Sequence, residues 1–134
     1  MEFHVMDAAD LKFVDDTFDL VICVQNGISA FKTDPGKLLS EAVRVTKKGG
    51  IVLFSSYSDK IWEARLEWFK IQAELGLIGE IDMEKTGDGK IVCRDGFTAT
   101  TYSPGDFQEL ALKLNLKANV YEVDNSSVFC EIIV

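Results

Sequence analysis

Two short apolar runs rich in Val and Ile, over residues 18–24 and 51–57, flank a stretch whose apolar residues recur at helical spacing. Asp34 followed by Pro35 is a helix start, with the acid as N-cap and the imino acid at the first helical position. Leu38, Leu39, Ala42 and Val43 then form one stripe. Lys47 and Lys48 suit the negative end of a helix dipole, and Gly49 suits a left-handed stop. Strand, helix and strand in this order predict a βαβ unit with two buried parallel strands.

The remaining pattern divides around this unit. Residues 2–6 alternate like a short strand and lead into a loop over residues 7–10. Asp15, Asp16 and Thr17 make a polar turn, and Asp19 opens the next strand, where an acid serves sheet-end hydrogen bonds. Ser58 can cap a helix that runs to about residue 75. That helix carries two neighbouring stripes, Ile61, Ala64, Trp68, Ile71, Leu75 and Trp62, Leu66, Phe69, Ala73. A face so wide predicts cover from the following segment or from another subunit. Residues 79–102 break the alternation of strand and helix and read as a β-hairpin insertion that can supply this cover. Its turn is Thr86-Gly-Asp-Gly-Lys90. This turn lacks the full phosphate-loop pattern and lies between strands, so it reads as a turn. Ser103-Pro-Gly-Asp106 has the form of a capping box, and Phe107, Leu110, Ala111 and Leu114 give the last helix its core stripe. Residues 116–123 and 128–134 form a terminal antiparallel hairpin. The whole chain, residues 1–134, reads as a single α/β domain.

Charge narrows the range of partners. The net charge is −8 at pH 7 with 22 acidic and 14 basic residues, which disfavours nucleic acid and anionic membranes as partners. No apolar run approaches the ~20 residues of a membrane span, and no signal peptide opens the chain. Cys23, Cys93 and Cys130 are widely spaced and read as buried thiols in a reducing, cytoplasmic setting. His4 is the only histidine and has no partners at ligand spacing, so no metal site is expected.

Three motifs carry a family resemblance. Phe18-Asp-Leu-Val21 opens a strand, and Glu41-Ala-Val-Arg-Val-Thr-Lys-Lys-Gly-Gly50 closes the next helix. Upstream lies Val5-Met-Asp-Ala-Ala-Asp-Leu-Lys-Phe13. In this order and spacing the chain resembles the class I S-adenosylmethionine (SAM)-dependent methyltransferases, a Rossmann-like fold. The resemblance implies SAM as cofactor, with Asp7 accepting from the adenine amino group and the Ala8 backbone N–H meeting a ring nitrogen. It places the methyl-bearing centre beside Gln25, Asn26 and Gly27, at the carboxyl end of a strand, where open α/β sheets bind ligands. Gly27 allows close backbone approach. Tyr57 ends the adjacent strand at the same edge and is a candidate to line the substrate site. Trp62 and Tyr102 are candidates to set an aromatic face near a cation. The acidic row Glu80, Asp82 and Glu84 suits either a solvated hairpin face or a cationic substrate. No catalytic base is named by the pattern.

The family's Gly-rich loop and ribose-binding acid have no counterpart here, so the resemblance implies a truncated class I sheet that begins at the family's third strand. The family's strand order, 3-2-1-4-5-7-6, would then leave the strand over residues 18–24 as an uncovered edge. An apolar edge invites pairing. Residues 2–6 sliding in beside it, a homodimer through that edge, or a portion supplied by another chain would each satisfy it, and the homodimer is the expectation. Two functions stay open. One is a SAM-dependent methyltransferase acting on a small molecule, with impaired cofactor binding in a truncated form. The other is a non-catalytic methyltransferase-like remnant that folds by self-association. A nicotinamide-dependent reductase needs the same absent loop and fits residues 41–50 worse.

Overall fold

The computed structural model describes residues 1–134. Strand β1 (Phe18–Cys23) is followed by the single-turn helix α1 (Gly27–Ala30), helix α2 (Pro35–Val45) and the long strand β2 (Thr46–Tyr57). A 3₁₀ turn (Asp59–Ile61) leads into α3 (Trp62–Glu74). Two short strands come next, β3 (Ile91–Val92) and β4 (Thr98–Ala99), and then α4 (Pro104–Lys113), β5 (Ala118–Val123) and β6 (Ser127–Ile133). The main sheet has the order β1-β2-β6-β5. β1 and β2 run parallel, and β6 is inserted antiparallel between β2 and β5. The α/β class, the parallel βαβ unit and the terminal antiparallel hairpin are as the sequence predicts, and the sheet is open.

The helix caps follow the sequence. The Asp34 carboxylate accepts the Lys37 N–H at 2.9 Å, with Pro35 in the first turn. Ser103 and Asp106 exchange both bonds of a capping box, Asp106 standing where Glu or Gln is usual. Helix α2 ends at Val45, earlier than the sequence suggests, and Lys47 and Lys48 lie in β2 rather than on the helix dipole. Thr46 makes the change. Its hydroxyl donates to the Ala42 carbonyl at 2.7 Å while its backbone pairs with Phe18. Gly49 takes the left-handed conformation expected of it (φ 78°), but inside the irregular start of β2, where the register against β1 shifts.

The core fills one face of the sheet. Leu38, Leu39 and Ala42 of α2, Ile28 of α1 and Phe107 of α4 pack on Val52, Phe54, Val128, Cys130 and Ile132. Pairing places Leu20 opposite Ile51 and Ile51 opposite Ile133, and all three are exposed on the other face, with Ile22, Val24, Tyr121 and Val123. That second face is uncovered.

Three expectations are corrected. Residues 2–6 form no strand: Phe3 and Val5 stand in solvent. Alternation alone does not make a strand; a ladder partner is needed, and β1 keeps its outer edge free. Residues 79–102 contain the expected tight turn. Gly87 and Lys90 exchange two 2.9 Å backbone bonds around Asp88 (φ 48°) and Gly89 (φ 76°), a turn of the primed kind. The arms, however, meet in only one further bridge, Ile81 to Cys93, and β3 pairs with β4 instead. The Thr86 hydroxyl accepts the Val92 N–H at 3.0 Å and donates to the Val92 carbonyl at 3.2 Å, and that carbonyl also accepts the Asp82 N–H at 2.8 Å. Finally, the insertion covers only part of the wide face of α3. Leu66 and Phe69 form a second small core with Ile81, Ile91 and Cys93, while Trp68, Ile71 and Leu75 remain exposed.

Candidate functional site

The carboxyl ends of β1 and β2 meet at one hydrogen-bonded hub. Gln25 and Asn26 are both left-handed (φ 54° and 62°), an uncommon state for residues with side chains. The turn is held from β2: the Gln25 N–H donates to the Ser55 hydroxyl at 2.9 Å, and the Asn26 N–H to the Ser55 carbonyl at 3.1 Å. Asn26 is 8% exposed. Its amide nitrogen donates to the Thr100 carbonyl at 2.7 Å and its oxygen accepts from the Ser56 hydroxyl at 2.8 Å. Ser56 in turn accepts the Tyr102 N–H at 2.8 Å. Ser29 accepts the Thr100 N–H at 3.0 Å and meets the Thr100 hydroxyl at 3.0 Å. Asn26 therefore ties the strap over residues 100–102 across both strand ends, and its polar atoms are engaged. Gln25 is exposed, with no side-chain hydrogen bond, and its amide is free.

Two cavities open at this hub. One, of about 230 Å³, is lined by Gln25, Lys32, Tyr57, Trp68, Phe69 and Phe97 among others. Lys32 is its one charged lining residue; its ammonium lies 5.3 Å from the centre of the Phe97 ring. The other lies on the open sheet face, between Val24, Tyr57, Trp68 and Phe129. Gly27 is packed hard against β1, where an added Cβ would lie 2.8 Å from the Cys23 sulfur.

A third cavity, of about 180 Å³ and wholly apolar, lies between Ala8, Ile22, Cys23 and Phe31. Beside it Asp7 caps its own turn: Oδ1 accepts the Ala9 N–H at 2.8 Å, while Oδ2 has no partner. The loop that carries these residues is clamped to α2. Arg44 donates to the carbonyls of Leu11 and Phe13, each at 2.9 Å, and to Asp15 at 2.6 Å, and Glu41 accepts the Leu11 N–H at 2.9 Å. Arg44 holds the Glu41 carboxyl below its ordinary range through their hydrogen bond.

The candidate residues thus divide. Gln25, Asn26, Gly27 and Tyr57 come together at the strand ends, and Asp7 and Ala8 flank the apolar cavity near Cys23. Tyr102 instead packs on Phe107, with ring centres 5.6 Å apart, and lines neither cavity at the hub. Trp62 faces the chain's own cation: the Arg65 guanidinium carbon lies 5.9 Å from its ring, 5.6 Å from Tyr57 and 5.4 Å from Phe69. The acidic row lies apart, with Asp82 paired to Lys85 and Glu80 to Arg94.

Sequence reading missed Arg65, which is 4% exposed. The available signal was spacing: position 65 falls three residues after Trp62 and four before Phe69, a charge inside an apolar arc. Lys32, Ser56 and Thr100 carry no local signal; only the fold brings them here. The thiols of Cys23 and Cys130 are pushed up to about 11 by burial, so neither is a nucleophile at neutral pH.

Residues 1–54 match the family model described as "Methyltransferase domain". No curated protein sequence matches the chain. A crystal structure of a protein from Pyrococcus horikoshii superposes with a TM-score of 0.63 at 24% identity, over 96% of this chain and 60% of that one. A SAM-dependent methyltransferase from Methanosarcina mazei gives 0.63 at 18% identity, over 99% of this chain and 68% of that one. A complex named DhpI-SAM-HEP gives 0.51 at 20% identity, over 97% of this chain and 56% of that one. At these identities the likeness is one of fold, and the chain spans 60% of the length of the Pyrococcus protein.

Proposed function

We propose that this chain, which carries the class I SAM-dependent methyltransferase fold and that family's sequence pattern in residues 1–54, binds SAM and methylates a small molecule. The observation that carries this reading is the left-handed turn at Gln25 and Asn26. It is locked from below by Ser55 and Ser56, and it leaves the Gln25 amide free at the mouth of two cavities. A strained backbone held by so many bonds is the kind of feature that positions a ligand.

The residues fit the cofactor at its adenine end. The all-apolar cavity beside Ala8 suits the faces of a flat heterocycle, and the unpaired Oδ2 of Asp7 suits an exocyclic amine. Gln25 and the Gly27 backbone would meet the amino-acid end. When bound, the cofactor supplies a sulfonium methyl that a nucleophilic N, O, S or C of the acceptor takes by in-line displacement, the thioether leaving. Tyr57, Trp68 and Phe97 shape the acceptor's place and limit water, and Gln25 orients it. Neither carboxylate nor histidine lines that cavity, so the chain's part in the reaction is orientation.

Calorimetry with the demethylated cofactor tests the reading. Micromolar binding, weakened about tenfold by Asp7→Ala, is expected. An absence of heat at millimolar ligand would instead favour a non-catalytic, self-associating domain. The uncovered sheet face with Leu20, Ile22 and Val24 supports self-association, and a homodimer through β1 satisfies it. The three unpaired thiols suit a reducing, cytoplasmic setting, and no helix is long and apolar enough to cross a membrane.

A further inference from the structure

Arg65 is buried in a way that its protein partners do not explain. Its Nη1 donates to the Gly89 carbonyl at 2.9 Å, in the turn between the arms of the insertion. Its Nε and Nη2 have no partner and no exposure. These two atoms form one edge of the guanidinium, the edge that takes a carboxylate with two parallel hydrogen bonds. An unmatched buried donor is costly, and an unmatched buried charge more so. Around this open fork stand the rings of Tyr57, Trp62 and Phe69. Tyr57 and Phe69 are also walls of the 230 Å³ cavity at the hub, so these two rings stand between that cavity and the guanidinium, which does not itself line it. Lys32 lines the same cavity, with no acid beside it.

We propose that the acceptor cavity takes a small molecule with an aromatic body and a carboxylate, the carboxylate pairing with the Nε and Nη2 edge of Arg65. This deepens the methyltransferase reading and rests on it for the identity of the cavity. The aromatic faces that would otherwise attract a cation already hold Arg65, and Lys32 adds a second positive charge, so an amine is repelled where an acid is drawn in. For the carboxylate to reach the fork, the half-buried Tyr57 ring, which lines the cavity and stands 5.6 Å from the guanidinium, would have to turn aside. The apolar rings supply contact area, and the fork supplies the specificity. Burial also pushes the Arg65 guanidinium down from its ordinary range, and a bound carboxylate would reverse that cost.

The test uses the full chain and near-isosteric probes. 4-Hydroxybenzoate, 4-hydroxybenzamide and 4-hydroxybenzylamine are titrated, with binding read from the Nε–Hε signals of the three arginines, Arg44, Arg65 and Arg94. The expected result is that the acid binds at least about tenfold tighter than the amide, the amine more weakly still, and that the Arg65 signal alone moves. In R65M the preference for the acid disappears while the melting temperature holds or rises, because an underpaired buried charge has been replaced by an apolar chain. R65K keeps the charge but loses the fork, and retains only part of the preference. Equal binding of acid and amide by the unmodified protein overturns the proposal without recourse to any variant. So does an acid preference that survives in R65M. Titration with the demethylated cofactor separates the two levels. Cofactor binding without acid preference sinks this inference alone, and acid preference without cofactor binding sinks the methyltransferase reading alone.

Discussion

The Ser56 hydroxyl donates to the Asn26 side-chain oxygen at 2.8 Å, joining the strained turn that follows β1 to the end of the parallel strand β2. Asn26 also reaches the Thr100 carbonyl, so one buried amide fixes β1, β2 and the strap over residues 100–102 together. Asn26→Gly keeps the left-handed backbone and removes only the amide. It should cost about 2–4 kcal/mol, because the buried Ser56 hydroxyl loses its acceptor and the half-buried Thr100 carbonyl loses its donor. Urea unfolding measures this. A double-mutant cycle with Ser56→Ala should give a coupling of about 0.5–3 kcal/mol; strict additivity would mean that the two residues do not act as a unit.

Gly27 opens α1 with its α-carbon against Cys23. A methyl group there would sit 2.8 Å from the sulfur. Gly27→Ala should therefore destabilise by about 1–3 kcal/mol, the usual cost of overpacking. Cys23→Ala removes the obstructing atom, so the double variant should recover most of the loss. Failure of that rescue would assign the cost to the backbone of α1.

The local features of the fold were written in the sequence, and the features that need distant partners were not. Asp34 with Pro35, and Ser103 with Asp106, announce their helix starts because a cap is satisfied within three residues. The two Val- and Ile-rich strands are visible because burial on one face leaves a pattern in composition. Residues 2–6 carry the same alternation and form nothing, since a strand exists only if a neighbour offers its edge. Lys47 is where a helix end would want it, yet it binds both oxygens of Asp19, at 2.9 and 3.1 Å, once Thr46 has joined the ladder. At the site, Gln25, Asn26 and Tyr57 were legible from their place at strand ends. Arg65 was not, because a lone charge among apolar residues of a helix reads as a solvent-facing position until the insertion folds over it.

Glu41 and Arg44 give the stability a defined pH dependence. The Arg44 hydrogen bond lowers the Glu41 carboxyl from its ordinary 4.5, with the Leu11 N–H adding to the effect. A group depressed in the folded state stabilises the fold above its unfolded value, and that contribution is lost as pH falls from about 4.5 through the lower folded value. Thermal unfolding between pH 6 and pH 3 should show a steeper acid limb for the unmodified protein than for Glu41→Gln. Parallel limbs would mean that the clamp on the loop over residues 11–15 contributes nothing ionic.

The open face of the sheet makes the last prediction. Leu20 and Ile22 are 55% and 58% exposed on an outer strand, and Ile51, Ile133 and Tyr121 continue the apolar surface across the sheet. A patch of this kind on a free monomer is unusual. Ile22 contributes little to the interior, so Ile22→Lys should change the stability of one chain by no more than about 0.5 kcal/mol. Introduced into a self-associating face, the same ammonium would be buried without a partner and would break the complex. Sedimentation equilibrium should therefore find the unmodified chain at twice the mass of one copy and Ile22→Lys at the mass of one. Lysine at Leu112, exposed on α4 away from the sheet face, serves as the control and should leave the assembly intact. A single-copy mass for the unmodified protein at tens of micromolar would rule out association through β1.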